Sequence, residues 1–207
     1  RSAEEALRRA APGTAAILAR ALEGRPLSRE EGLALAQADP ADVEALAAAA
    51  DEVRRARVGD VITYVVNRNI NFTNVCIIGC KFCAFSTGPQ APDAYDLSLE
   101  QIAQKAREAW DRGATEVCVQ GGLPRELDGF HYRDILRAIR RAVPRIHIHA
   151  FSPMEVMYGV ERTGMPLADY LAMLKAEGLD SLPGTAAEIL DDSVRQLLSR
   201  HKVTVRQ

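Results

Sequence analysis

Residues 67–85, NRNINFTNVCIIGCKFCAF, carry three cysteines in a C-x3-C-x2-C run directly after an apolar, strand-like stretch. Cys76, Cys80 and Cys83 are close enough in sequence to share one metal centre. A structural zinc site is normally closed by four ligands, typically two C-x2-C pairs. Here the next cysteine, Cys118, lies 35 residues further on inside another predicted strand, where a packed core thiol is the simpler reading. A cubane iron–sulfur cluster held by three thiolates leaves one iron open, and an open iron can chelate a substrate. The spacing points to such a cluster, with zinc as the rival occupant.

Working outward from this loop, strand and helix patterns alternate. VITYVV (61–66) and INFTN (70–74) are β-rich, followed by a helix over 98–113 with Ser98 as N-cap and Gly113 just past its end. TEVCVQ (115–120) reads as a strand, 130–144 as a helix, RIHIHAF (145–151) as a strand, and 166–178 as a helix. LDSL (179–182) reads as a short strand and 186–200 as a further helix. This alternation predicts parallel βα units. The strands end in NVCIIGCKFC, QGGLP, SPMEV and PGTAAE, so polar and glycine-rich turns gather at the C-terminal ends, as in a β/α barrel. The fold class expected is α/β: a partial TIM-like (β/α) barrel over 58–207, ending after about four βα units.

Residues 1–57 differ, being dominated by Ala, Leu, Glu and Arg with breaks at 11–13, 23–32 and 38–44. Ser28 with Glu31 fits a capping box and Asp39-Pro40 opens another helix, so an N-terminal helical region of three helices is expected. The chain of 207 residues carries 26 Lys and Arg against 28 Asp and Glu, without a basic stripe, which argues against nucleic acid as a partner. No run of about 18 apolar residues predicts a membrane span, and the N-terminus does not read as a signal peptide. Clustered thiols without an export signal predict a cytoplasmic protein. The start at Arg1 suggests a processed or excised chain, and the ending SRHKVTVRQ falls where a fifth strand is expected.

The C-x3-C-x2-C loop after the first strand, with Phe82 before the last cysteine, resembles the radical S-adenosylmethionine (SAM) enzymes. That resemblance implies a [4Fe–4S] cluster on Cys76, Cys80 and Cys83 whose open iron binds the amino and carboxylate groups of SAM. An electron from the cluster then breaks the S–C5′ bond, leaving methionine and a 5′-deoxyadenosyl radical. It also implies that Phe82, or the backbone beside it, contacts the adenine. Gln120, Gly121 and Gly122 end the second strand where family members hold the SAM amino group. Glycine there permits close backbone approach and positive φ, although a plain βα turn uses the same residues.

Within the family, the quoted cysteine stretch, ATEVCVQGG, HIHAFSPMEV, RTGMPLADYL and GLDSLPGTAAEILDD together resemble subunit 2 of the synthases of the deazaflavin chromophore FO (7,8-didemethyl-8-hydroxy-5-deazariboflavin). The resemblance runs over about residues 60–195. It implies a transferase that cleaves the Cα–Cβ bond of L-tyrosine and adds the 4-hydroxybenzyl group to 5-amino-6-(D-ribitylamino)uracil. Its implied partners are those two small molecules, FO synthase subunit 1 as a separate chain or fused module, and an electron donor. Candidate substrate contacts at the strand ends are Asn71, Asn74, His149, Ser152, Glu155, Thr185 and Glu188. His147 and His149 share one face of the third strand, His147 as a core group and His149 nearer the mouth. His131 and His201 read as surface residues, and the methionines as packing. The rivals are a radical SAM enzyme of menaquinone biosynthesis, of the aminofutalosine synthase or dehypoxanthine futalosine cyclase type, and a non-enzymatic iron–sulfur or zinc protein.

Overall fold

The computed structural model describes residues 3–83, 87–184 and 189–207. The chain divides into two compact units, Arg1–Tyr64 and Val65–Gln207. In the first, α1 (Ala3–Leu7), α2 (Pro12–Leu22), α3 (Arg29–Ala36) and α4 (Pro40–Val58) pack around Ala6, Leu18, Leu35, Ala45 and Ala49. Four helices are described where the sequence suggested three, because the APG break separates α1 from α2. Buried Asp42 secures that break, accepting from the Ala11 amide at 2.9 Å and the Thr14 hydroxyl at 2.7 Å. The capping box at Ser28 and Glu31 starts α3 as its spacing indicates. Among the described residues, no helix is long and apolar enough to cross a membrane.

The second unit is built on a parallel sheet of β1 (Asn67–Asn71), β2 (Glu116–Gln120) and β3 (His147–Ala150) in that order. Between them run α5 (Leu99–Asp111) and α6 (His131–Ala142); α7 (Pro153–Thr163), α8 (Leu167–Ala176) and α9 (Asp192–Leu198) follow. The Ser98 and Gln101 capping box opens α5, which buries Ile102, Ala103, Ala106 and Ala109. On α6 the buried set is Tyr132, Ile135, Leu136 and Ile139 at helical spacing. These helices cover the sheet face made by Ile70, Val117, Val119, Ile148 and Ala150, all in one apolar core. Each such large aliphatic contributes about 1.5–3 kcal/mol by leaving water.

The opposite face follows from period-two alternation: Asn67, Asn69 and Asn71, then Glu116, Cys118 and Gln120, then His147 and His149. It is polar from end to end. The fourth expected strand is reduced, among the described residues, to one parallel bridge from Ser181 to His149. VITYVV is not a strand, and Val61, Ile62 and Tyr64 are 73%, 90% and 85% exposed. Two further departures concern helices. SPMEV, expected as a strand-end turn, opens α7, and α9 is shorter than the helix expected over 186–200.

Candidate functional site

The cysteine loop leaves β1 at its C-terminal end and is tied down from both sides. Towards residues 87–97, the Cys76 amide donates to Thr87 O at 3.1 Å, Thr87 donates back to Asn74 O, and Thr73 Oγ1 donates to Tyr95 O. Asn74, a candidate substrate contact by sequence, is instead buried and structural. Its amide nitrogen donates to Asp93 O and its side-chain oxygen accepts from the Tyr95 amide, each at 2.8 Å. Towards β2, the Gly122 amide donates to Thr73 O at 2.8 Å and Ile77 to Leu123 O at 3.0 Å. Gly79, at φ +68, supplies the left-handed residue that lets the loop turn between Cys76 and Cys80.

Cys76 and Cys80 are half-buried, Cys83 is exposed, and all are free thiols. The three line one cavity of about 220 Å³ together with Phe82, Gln120, Gly121 and Gly122. Asn71, Ser152 and Glu155 line it too, so most of the residues singled out by sequence converge. Phe82 is 52% exposed, with the Lys202 ammonium 5.3 Å from its ring centroid. Ile78, Leu123, Met154 and Lys202 also line the cavity and carry no motif of their own. Met154 accepts from the Val203 amide through its sulfur at 3.4 Å, which ties the C-terminal segment to the start of α7.

The two glycines of the QGG turn have a different reason for being glycine than positive φ, which neither adopts. A Cβ on Gly122 would lie 2.1 Å from Val75 O and 3.1 Å from Cys76 Cβ. One on Gly121 would lie 2.5 Å from the Phe72 ring. Close approach to the cysteine loop is what excludes a side chain.

Glu155 sits beneath this turn, 3% exposed. One carboxylate oxygen accepts from the Gly121 amide at 3.0 Å; the other accepts from the Ser152 amide at 2.6 Å and hydroxyl at 2.7 Å. Burial pushes its carboxyl up to about 7, against three donated hydrogen bonds that pull it down. Ser152 reciprocates by accepting from the Glu155 amide, a capping box that starts α7. Phe151, immediately before, has positive φ (64°), alone among the described non-glycine residues, a strained conformation that turns the chain from β3 into that helix.

His149 does not line the cavity: its Nδ1 lies 2.7 Å from Ser181 Oγ, further down the sheet. Cys118 is half-buried in β2, and burial, with Glu116 and Glu155 nearby, raises its thiol. His131, expected at the surface, packs against Phe72 at 5.9 Å, and burial lowers its pKa. Thr185 and Glu188 lie outside the described residues.

Residues 70–206, from the end of β1 through the cysteine loop to the C-terminal segment, match the radical SAM superfamily. The chain belongs to this superfamily. Its members use a [4Fe–4S] cluster and SAM, as the resemblance of the cysteine loop implied. The chain is 55% identical to an FO synthase of Streptomyces avermitilis over 177 residues, covering 86% of this chain and 21% of that protein. It is 47% identical over 191 residues to 5-amino-6-(D-ribitylamino)uracil--L-tyrosine 4-hydroxyphenyl transferase of Methanothermobacter thermautotrophicus, covering 92% of this chain and 52% of that one. The chain thus spans about a fifth of the first relative and half of the second. A crystal structure of HydG, a maturase of the [FeFe]-hydrogenase, superposes with a TM-score of 0.69 at 12% identity, over 99% of this chain and 43% of that one. That likeness is one of fold.

Proposed function

We propose that residues 58–207 form the first part of a radical SAM core, following a helical region over 1–57, in an enzyme that transfers the 4-hydroxybenzyl group of L-tyrosine to 5-amino-6-(D-ribitylamino)uracil. Cys76, Cys80 and Cys83 hold the cluster. Cys118 is not a ligand, since it lies in the middle of β2 facing Asn69 and His149 in register. The donor set fits: three free thiols face one cavity, and the fourth thiol of a closed zinc site is not among its lining residues. When bound, the cluster supplies the electron that cleaves SAM to a 5′-deoxyadenosyl radical.

The chain's own residues then have definable tasks. The Gly121–Gly122 backbone, free of side chains, lies beside Cys76 and offers an edge for the amino acid end of SAM. Phe82 gives an exposed ring for the adenine. Asn71 and Gln120, in register on adjacent strands, present amides into the same cavity for polar substrate groups. Glu155 holds the Gly121 amide and Ser152 holds Glu155, and their substrate role is secondary to that hold. His149, Thr185 and Glu188 complete the proposed substrate contacts.

The observation that carries this reading is the 47% identity over 92% of the chain to the 4-hydroxyphenyl transferase, combined with the convergence of the cysteines and QGG on one cavity. FO synthase subunit 1, fused or separate, and an electron donor complete the system in a reducing cytoplasm. The test is anaerobic reconstitution of the whole protein, with 5′-deoxyadenosine measured with and without tyrosine and the diaminouracil. Turnover that needs both substrates and yields the 4-hydroxybenzyl adduct supports the assignment. SAM cleavage driven instead by a chorismate-derived enol ether overturns it in favour of menaquinone chemistry.

A further inference from the structure

The lower end of the sheet's polar face carries a second group of metal-ligating side chains, none of which lines the cysteine cavity. Glu116 opens β2, and His147 opens β3 directly opposite it in register. His149 follows two residues on, on the same face. One ligand atom from each of the three lies within 4.8 Å of the others. The His147 Nε2 to Glu116 Oε2 separation is 3.7 Å. A tetrahedral site with bonds of about 2.1 Å has ligand–ligand edges of about 3.4 Å, so this pair already stands near a ligating distance. The two imidazoles also converge. His147 Nε2 lies 2.8 Å and His149 Nδ1 2.7 Å from the same oxygen, Ser181 Oγ. Asn67 Nδ2 donates to the other Glu116 oxygen at 3.3 Å, leaving Oε2 towards the histidines.

We propose that Glu116, His147 and His149 form a binding site for a divalent transition metal of the zinc type, separate from the cysteine site. Two imidazoles and one carboxylate suit borderline cations such as zinc, iron(II) or cobalt(II) rather than magnesium or calcium, which favour oxygen alone. Three protein ligands leave one position for the Ser181 hydroxyl, water or a substrate atom. The ligands stand on adjacent hydrogen-bonded strands, so the strands fix their spacing before any ion arrives. Glu116 and His147 lie four register positions below Gln120, about 13 Å of strand, and His149 two, about 7 Å, at about 3.3 Å per residue, which sets the group below the cysteine cavity. The competing account is a hydrogen-bonded polar layer in which Ser181 bridges the two rings and no ion binds.

The experiment uses the whole protein with its iron–sulfur cluster loaded anaerobically. One equivalent of zinc(II) is added, the sample is desalted, and zinc is counted by mass spectrometry. X-ray absorption at the zinc edge then reports the ligand atoms. The expected result is about one retained zinc per chain with a shell of nitrogen and oxygen only. In His147→Ala/His149→Ala, zinc falls to background while the cluster still loads, which shows that the fold survives. The isosteric Glu116→Gln guards against a folding defect and binds zinc at least tenfold more weakly. The proposal is overturned if zinc washes off the parent protein, if its shell contains sulfur, or if either variant retains zinc as the parent does.

Discussion

Glu155 gives the sharpest quantitative test of the site. Its carboxyl is raised from an ordinary 4.5 to about 7, with burial as the first cause. A carboxyl that binds its proton more tightly when folded stabilises the native state at low pH and loses that contribution as pH rises. The window runs from about pH 4.5, where the unfolded group ionises, to about 7, where the native one does. At about 1.36 kcal/mol per pH unit, this group alone weakens stability by ~3 kcal/mol across the window. Glu155→Gln removes the titration, and its side-chain oxygen can still accept from the Gly121 amide. Urea unfolding of parent and variant at pH 5, 6, 7 and 8 isolates the effect in the difference between them. The parent should lose most of the ~3 kcal/mol relative to the variant by pH 7, and little more by pH 8. Parallel curves across this range refute the buried, proton-holding role. A difference that grows the other way shows that the three donated hydrogen bonds outweigh burial.

Single Cys76→Ala, Cys80→Ala and Cys83→Ala changes should abolish cluster loading, whereas Cys118→Ala retains it; iron content of reconstituted protein decides. Gly122→Ala should lower SAM affinity and cluster yield together, because the new Cβ meets Val75 O at 2.1 Å, and isothermal titration with SAM measures this. Tyr170→Phe leaves the Gly129 carbonyl without the hydroxyl that donates to it at 2.6 Å inside the core, so chemical unfolding should show a loss of about 1–3 kcal/mol. Protein purified in air should contain far less iron than anaerobic preparations, since an iron without a thiolate ligand is open to attack; equal iron in both contradicts a SAM-binding cluster.

The cysteine spacing, the βα alternation and most of the cavity were legible in the sequence because each depends on local pattern. What was misread depends on neighbours. VITYVV has high strand propensity, yet β2 begins only at Glu116, and among the described residues that run meets it only at its end, where the Thr115 amide donates to Val66 O. Without a partner opposite, propensity does not make a strand. NRNIN, poor in strand formers, is β1 because β2 lies in register beside it. The start of α7 was within reach: Ser152, Pro153 and Glu155 form a capping box with proline at the first helical position, and Gly164 ends the helix at φ +69. Its first residues sit at a polar strand end, where the same composition also makes turns. Lys202 could not be found by pattern, since only the chain's return past Met154 brings it to the cavity.

The polarity of the sheet's second face constrains what that face can be for. Parallel sheets are normally covered on both sides, and the strands then read as nearly continuous apolar runs. Here apolar residues serve only the helical side, while the other side sets asparagines on β1 against Glu116, Cys118 and Gln120 on β2 and histidines on β3. Burying such a column against aliphatic side chains would strand donors and acceptors at roughly 1–3 kcal/mol each. The face is therefore suited to polar ligands, and its two ends differ in kind. At the C-terminal end, Asn71 and Gln120 are neutral amides lining the same cavity as three thiols, a soft donor set matched to an iron–sulfur cluster. At the N-terminal end, imidazole and carboxylate from Glu116, His147 and His149 converge, a donor set matched to a borderline divalent cation. The chemistry of the residues separates the two ends into distinct sites on one continuous surface.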